Sequence, residues 1–201
     1  MEKEKKSYKT IFISIFQGVE AKNILRTPIL ETLLRDERVR IVLFTDSKDR
    51  AEYYQKEFSH GQLLYEVVKM RPISWIDGFF KKLKLMLLKT ETTDLMRCMT
   101  HEEGRNLIVH WANKLLNLLL ARSSTRRVVR YLDFLLVQEH TYTKYFDIYA
   151  PDLVFLANLF DEKEVHLLRE AKKQGVKSVG LLNSWDQVTS RWMLRLLPNL
   201  F

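Results

Sequence analysis

Two polar stretches carry the residue types best suited to chemistry, and each directly follows an apolar run. The later one, Asn183-Ser184-Trp185-Asp186-Gln187-Val188-Thr189-Ser190-Arg191, comes after Val176 to Leu182. Its asparagine, serine, aspartate and threonine supply donors and acceptors suited to sugar hydroxyls, and Trp185 offers a flat apolar face for a sugar ring. The same residues equally suit a helix cap, with Asp186 or Thr189 holding the first amides and Trp185 buried. The earlier stretch, Gln17-Gly18-Val19-Glu20-Ala21-Lys22-Asn23, follows Lys9 to Phe16. Gly18 permits close backbone approach to a ligand, Lys22 offers a charge, and the helix start beyond offers free amides to an anion. The competing reading is a plain strand-to-helix turn.

A third feature is cationic. The run Phe79 to Lys89 holds Lys81, Lys82, Lys84 and Lys89 with no acid and many apolar residues, the pattern of a helix lying at an anionic lipid surface. Further on, Arg122, Arg126 and Arg130 fall on one helical face with Arg127 beside them, a stripe suited to phosphate groups. The blander reading keeps Leu83, Leu87 and Leu88 packed inward and lets the lysines solvate the outer face. A formal net charge of +8 agrees with an anionic partner of some kind. Nucleic acid ranks last, because the basic residues alternate with leucine and no RRM, KH or helix-turn-helix signature is present.

Several chemistries find no support. Gly18 stands alone where a dinucleotide fingerprint or a phosphate-cradling loop needs several glycines. His101 and His110 are nine residues apart, Cys98 has no second cysteine, and His60, His140 and His166 are scattered, so no zinc spacing exists. His101-Glu102-Glu103 reads as a solvated helix start after Thr100. Ser14, Ser47 and Ser184 sit in no nucleophile elbow. The lone cysteine points to a reducing, cytoplasmic setting. The mixed-charge start, Met1 to Ser7, lacks the arrangement of a signal peptide, and no apolar run approaches the ~20 residues of a bilayer span.

The elements that must position these residues alternate. Lys9 to Phe16, Val39 to Phe44, Leu63 to Met70, Leu153 to Ala157 and Val176 to Leu182 read as strands. Asn23 to Leu34, Lys48 to Phe58 and Asp161 to Lys173 read as helices. Such alternation predicts an α/β fold, a Rossmann-like parallel sheet with helices on both faces. Between residues 72 and 150 strand signals vanish, and helical periodicity over Ile76 to Leu88, Leu107 to Leu120 and Arg126 to His140 predicts a long helical insertion. The expected organisation is one domain over residues 1–201; 46% hydrophobic residues in 201 suffice for its core.

Ser184-Trp185-Asp186-Gln187-Val188-Thr189-Ser190-Arg191, with Met193 to Pro198 after it, resembles the SWDN-(hydrophobic)-T-S-K element of bacterial surface-polysaccharide proteins of the GT-B glycosyltransferase architecture. Lys22-Asn23-Ile24-Leu25-Arg26-Thr27 is similar to the R-N-(hydrophobic)-L-R-T run that those proteins carry after their first strand. Gln187, Trp192 and Lys22 depart from the usual asparagine, glycine and arginine. The resemblance implies the amino-terminal, acceptor-side half of such an enzyme, without its carboxyl-terminal donor-binding half and inactive alone. It further implies a nucleotide-sugar donor held by a second domain or separate subunit, no cofactor on this domain itself, and a glycan or lipid-linked acceptor. Gln17, Gly18, Lys22, Asn23, Asn183, Ser184, Trp185, Thr189 and Arg191 then line the acceptor cleft. Asp186 is the first candidate base and Glu20 the second. A place at the inner face of the cell membrane is expected for such an enzyme, with the basic helices holding it peripherally. The alternative is a non-catalytic module docking on anionic membrane or a partner subunit through those helices.

Overall fold

The run KTIFIS becomes the central strand of a parallel sheet, buried at every position after Lys9. A strand covered on both faces must be apolar or have its polar groups satisfied. Thr10 Oγ1 accepts from Arg40 Nη2 at 3.1 Å, and Ser14 Oγ accepts the Ala157 amide at 3.4 Å. The structure is a computed structural model that describes residues 8–84, 86–102, 107–183 and 193–201. Its strands are β1 (Lys9–Ser14), β2 (Val39–Thr45), β3 (Leu63–Val67), β4 (Leu153–Leu156) and β5 (Lys177–Gly180). They form one five-stranded sheet of order β3-β2-β1-β4-β5, parallel throughout. Phe12 pairs with Val42 on one side and Val154 on the other, which sets the register of the centre.

Helices intervene in chain order: α1 (Gly18–Ile24), α2 (Pro28–Leu34), α3 (Lys48–Glu57), α4 (Trp75–Leu83), α5 (Glu91–Glu102), α6 (Leu107–Leu120), α7 (Ser123–Leu136), α8 (Thr143–Tyr149) and α9 (Glu162–Lys173). The chain separates into two compact units. A sheet unit holds Met1–Arg71, Glu139–Asn183 and Pro198–Phe201, and a helical unit holds Pro72–Gln138 and Ser184–Leu197.

In the sheet unit, Ile11, Ile13, Ile41, Leu43 and Leu63 form one face, against which Ile24, Leu25, Leu30 and Tyr54 pack. The other face is aromatic: Phe12 meets Phe44 at 4.9 Å and Phe146 of α8 at 5.2 Å, while Phe44 meets Tyr145 at 5.1 Å, all edge-to-face. Each such fully buried side chain stabilises by about 1.5–3 kcal/mol from area alone. Although α8 falls inside the stretch read from sequence as the insertion, its Tyr145 and Phe146 seat it on the sheet. The compact helical segment therefore ends at Gln138. In that helical unit, Asn117 donates to the carbonyls of Met86 and Leu88 at 2.7 and 2.9 Å, closing the turn after α4 on α6.

Two local expectations change. The helix expected over Asn23 to Leu34 is two helices, because Pro28 lacks an amide and opens α2 at its first position. The stretch Gln17 to Asn23, read either as a ligand loop with a helix start beyond it or as a plain strand-to-helix turn, is helical from Gly18, since Gln17 and Glu20 form a capping box. α5, absent from the sequence reading, has a mixed polar composition with no continuous apolar stripe to reveal it.

Candidate functional site

In a parallel sheet of this order, the connections from β1 and β4 leave toward opposite sides, so a crevice opens at the carboxyl ends of those two strands. Side chains from three strand ends are tied together there. Asp46, after β2, receives Arg50 Nη1 and Lys163 Nζ, each at 2.6 Å. Arg50 also donates to the Phe16 carbonyl, and Lys163 Nζ stands 5.0 Å from the centre of the Phe16 ring. Gln17 Nε2 donates to Asp161 Oδ2 at 3.2 Å. Asp161 in turn caps α9 by accepting the Lys163 amide at 2.8 Å.

Beneath these half-buried groups lie two carboxyls with almost no exposed surface, Glu20 and Glu164. Glu20 Oε2 accepts the amides of Phe16 and Gln17, and Glu164 Oε2 accepts the Asn158 amide at 2.8 Å. Oε1 of each is buried without a hydrogen-bond partner. Burial pushes the Glu164 carboxyl well above its ordinary range and the Glu20 charge adds to the rise, while the Asn158 amide and the Ser14 side chain oppose it. Burial also raises Glu20, against the amides of Gln17 and Phe16. The arrangement favours the protonated form of both acids relative to exposed carboxylates.

Glu20, read from sequence as a second candidate base, is 0% exposed and committed to the turn between β1 and α1. Its Oε2 holds the amides at that strand end. Gly18 is exposed, and a Cβ there would meet no protein atom within 4 Å. Lys22 is exposed on α1 and Asn23 half-buried. Asn23 Nδ2 donates to Asn183 Oδ1 at 3.3 Å, bringing together residues 160 apart in sequence. Asn183 Nδ2 is buried and has no hydrogen-bond partner. Ser184, Trp185, Asp186, Gln187, Thr189 and Arg191 lie outside the described residues.

In the helical unit, Lys81, Lys82, Lys89, Arg122 and Arg127 are exposed. Lys84 is 7% exposed and so leaves the cationic face. Arg126 Nη1 reaches the Leu87 carbonyl at 3.4 Å, and Arg130 Nε donates to the Leu194 carbonyl at 3.0 Å. Burial lowers the Arg130 pKa, with Arg126 adding to the effect. The stripe of arginines thus serves partly to hold backbone within its own unit.

Sequence reasoning missed Glu164, Asp46 and Lys163, which show no motif because Asp46 follows β2 whereas the adjacent Lys163 and Glu164 lie in α9 after β4. The one available signal for Glu20 was its place three residues after Gln17 at the start of a helix. Among the described residues no group of three or more His, Cys, Asp and Glu side chains is placed to hold a metal ion, and no helix is long and apolar enough to cross a membrane. Sheet order and crossovers define a Rossmann-like α/β protein, a class in which ligands are generally bound outside the carboxyl ends of the strands where the order reverses, here β1 and β4. Comparison with models of known protein families, with curated proteins and with solved structures finds no match.

Proposed function

We propose that this chain is the acceptor-binding half of a nucleotide-sugar-dependent glycosyltransferase acting in surface-polysaccharide or cell-envelope glycan synthesis. One observation carries the reading. Asn23, inside the first stretch that resembles that family, donates to Asn183, the residue just before the second stretch, across 160 residues of sequence at the carboxyl end of the sheet. There the side-chain amide nitrogen of Asn183, Nδ2, is a buried donor with no partner, able to donate to a sugar hydroxyl. In this reading Gln17 and Asn23 orient the acceptor, and Ser184, Trp185, Thr189 and Arg191 complete its cleft. Asp186 is the base, and the donor is held by a second Rossmann-like domain.

The test is a glycan array of bacterial envelope oligosaccharides probed with the 201-residue chain and with Asn23→Ala and Asn183→Ala. Binding that both substitutions abolish, with thermal midpoints kept within about 3 °C, supports the proposal; retention of no glycan by the parent chain overturns it.

One observation favours a second reading, a non-catalytic module on anionic membrane. α6 exposes Ile108, Trp111, Leu115, Leu118 and Leu119, each at least 52% accessible, with Lys114 over the Trp111 ring at 5.0 Å. An exposed apolar stripe edged by a cation suits the acyl boundary of a lipid surface. Sedimentation with phosphatidylglycerol vesicles, together with a silent glycan array, would select this reading.

A further inference from the structure

A cavity of about 400 Å³ lies within the sheet unit at the far end of the sheet from β5, and its rim is made almost wholly of cations. Lys48 comes from the first turn of α3, Lys69 and Arg71 from the segment that follows β3, and His140 and Lys144 from the approach to α8 and its first turn. Val67, Thr141 and Tyr145 complete the lining. Thr141 and Tyr145 are buried, whereas Lys48, Lys69, Arg71, His140 and Lys144 are exposed, so a largely fixed floor carries a ring of extended donors. Tyr145 is pinned by its hydroxyl, which donates to the Val67 carbonyl at 3.2 Å, and by its edge contact with Phe44.

No acid lines the cavity. Two carboxylates close in sequence to its lining are engaged elsewhere. Glu139 accepts from the amides of His140 and Thr141 at 3.0 and 2.8 Å and from the Thr141 hydroxyl, and Glu66 takes the Tyr149 hydroxyl. Among the described residues none of Lys48, Lys69, Arg71 and Lys144 forms an ion pair; Lys144 lies over the Tyr145 ring at 4.5 Å. Four like charges gathered on one concavity repel one another and lower the protein's stability unless a counter-charge is present. Elsewhere in the same unit, Arg26, Arg35, Arg38 and Arg50 do have carboxylate partners.

We infer that this cavity binds a ligand carrying two or more phosphoryl groups in series, a diphosphate or a longer polyphosphate. The volume falls in the range of small-molecule sites. Four fixed positive charges match the charge of a di- or triphosphate better than that of a single phosphate, and the Arg71 fork can take two oxygens of one phosphoryl group. The inference does not depend on the glycosyltransferase reading: its residues are distinct from Gln17, Asn23 and Asn183, and it stands if that reading fails.

The experiment is isothermal titration of the whole chain with orthophosphate, pyrophosphate and tripolyphosphate at 150 mM salt. Flotation with vesicles bearing an isoprenoid diphosphate, or phosphatidylglycerol at equal charge, forms the second arm. Affinity should rise with each added phosphoryl group. Lys69→Gln with Arg71→Gln should weaken tripolyphosphate binding about tenfold or more, since each charged hydrogen bond lost is of that order. Lys172→Gln with Lys173→Gln removes the same charge from the exposed end of α9 and should change it less than twofold. Binding of soluble polyphosphates with those effects assigns a free ligand; flotation only with the diphosphate lipid, lost in the Lys69/Arg71 variant, assigns a headgroup. No binding in either arm, or equal loss in both double variants, overturns the site.

Discussion

Arg195 offers the sharpest test of how the helical unit is held. Its side chain is 1% exposed, and its Nε and Nη2 meet Asp133 of α7 at 2.8 and 2.9 Å. The same Nη2 lies 2.6 Å from Asp77 of α4, whose side chain is 6% exposed. Replacing Arg195 by Met keeps most of the volume and leaves two carboxylates buried without their cation. Breaking a buried pair from one side costs about 3–5 kcal/mol, because the charge left behind has lost both water and partner. For a chain of this size each kcal/mol moves the midpoint by about 2–4 °C, so the variant should melt about 6–20 °C lower. All four tryptophans, Trp75, Trp111, Trp185 and Trp192, fall in the segments of the helical unit, so their fluorescence follows that unit during urea unfolding. Arg195→Met with Asp77→Leu and Asp133→Leu should recover most of the loss, since apolar replacement of a whole buried cluster is often neutral or better. A single variant within about 1 kcal/mol of the parent, or a triple variant no better than the single, would refute the argument.

Two further predictions concern the sheet unit. The Glu164 carboxyl stands well above its ordinary value of 4.5 in the folded chain; its contribution to stability is therefore full below 4.5 and is lost as pH rises through the native pKa. Glu164→Gln should flatten the fall of the urea midpoint between pH 5 and 8, and parallel pH curves for the two proteins would contradict this. Gly180→Ala would place a Cβ 2.6 Å from both methyls of buried Leu159 and should cost about 1–3 kcal/mol, whereas Gly18→Ala meets nothing and should change stability by less than about 0.5 kcal/mol. Equal midpoints for the two alanine variants in thermal unfolding would show the packing argument to be wrong.

These glycines also show what a sequence can and cannot reveal. Gly18 drew attention because it follows an apolar strand, yet its surroundings are open; Gly180, inside the last strand, is the one whose missing Cβ matters, because Leu159 packs over it. Strands and the three helices with clear periodicity or caps were legible because both signals are local: KTIFIS and VRIVLFT are apolar on both faces, and Ser47 and Asp161 cap α3 and α9. Contacts between distant segments were not. Nothing in the run Met193 to Pro198 marks Arg195 as the cation for Asp77 and Asp133, and nothing marks Lys69, Arg71 and Lys144 as neighbours, since each becomes meaningful only after the chain has folded back.

The buried carboxyls explain why the β1 and β4 ends can present a fixed set of polar groups. A strand that ends in a parallel sheet leaves amides without ladder partners, and a buried amide left unmet costs about as much as a lost hydrogen bond. Glu20 satisfies two such amides after β1, and Glu164 one after β4. Water cannot substitute there, because both carboxyls have at most 1% of their surface exposed. The turns are therefore held from below, and the groups above them, Gln17 with Asp161 and Asp46 with Arg50 and Lys163, inherit that order. The raised pKa of each acid is the electrostatic consequence of placing the holders inside. A crevice built in this way needs no glycine-rich loop to keep its backbone near a ligand, which agrees with the single glycine between β1 and β2. On the proposed acceptor-binding reading, selectivity then rests on side chains, and Asn23 and Asn183, hydrogen-bonded to each other with Asn183 Nδ2 unpartnered, are the first to test.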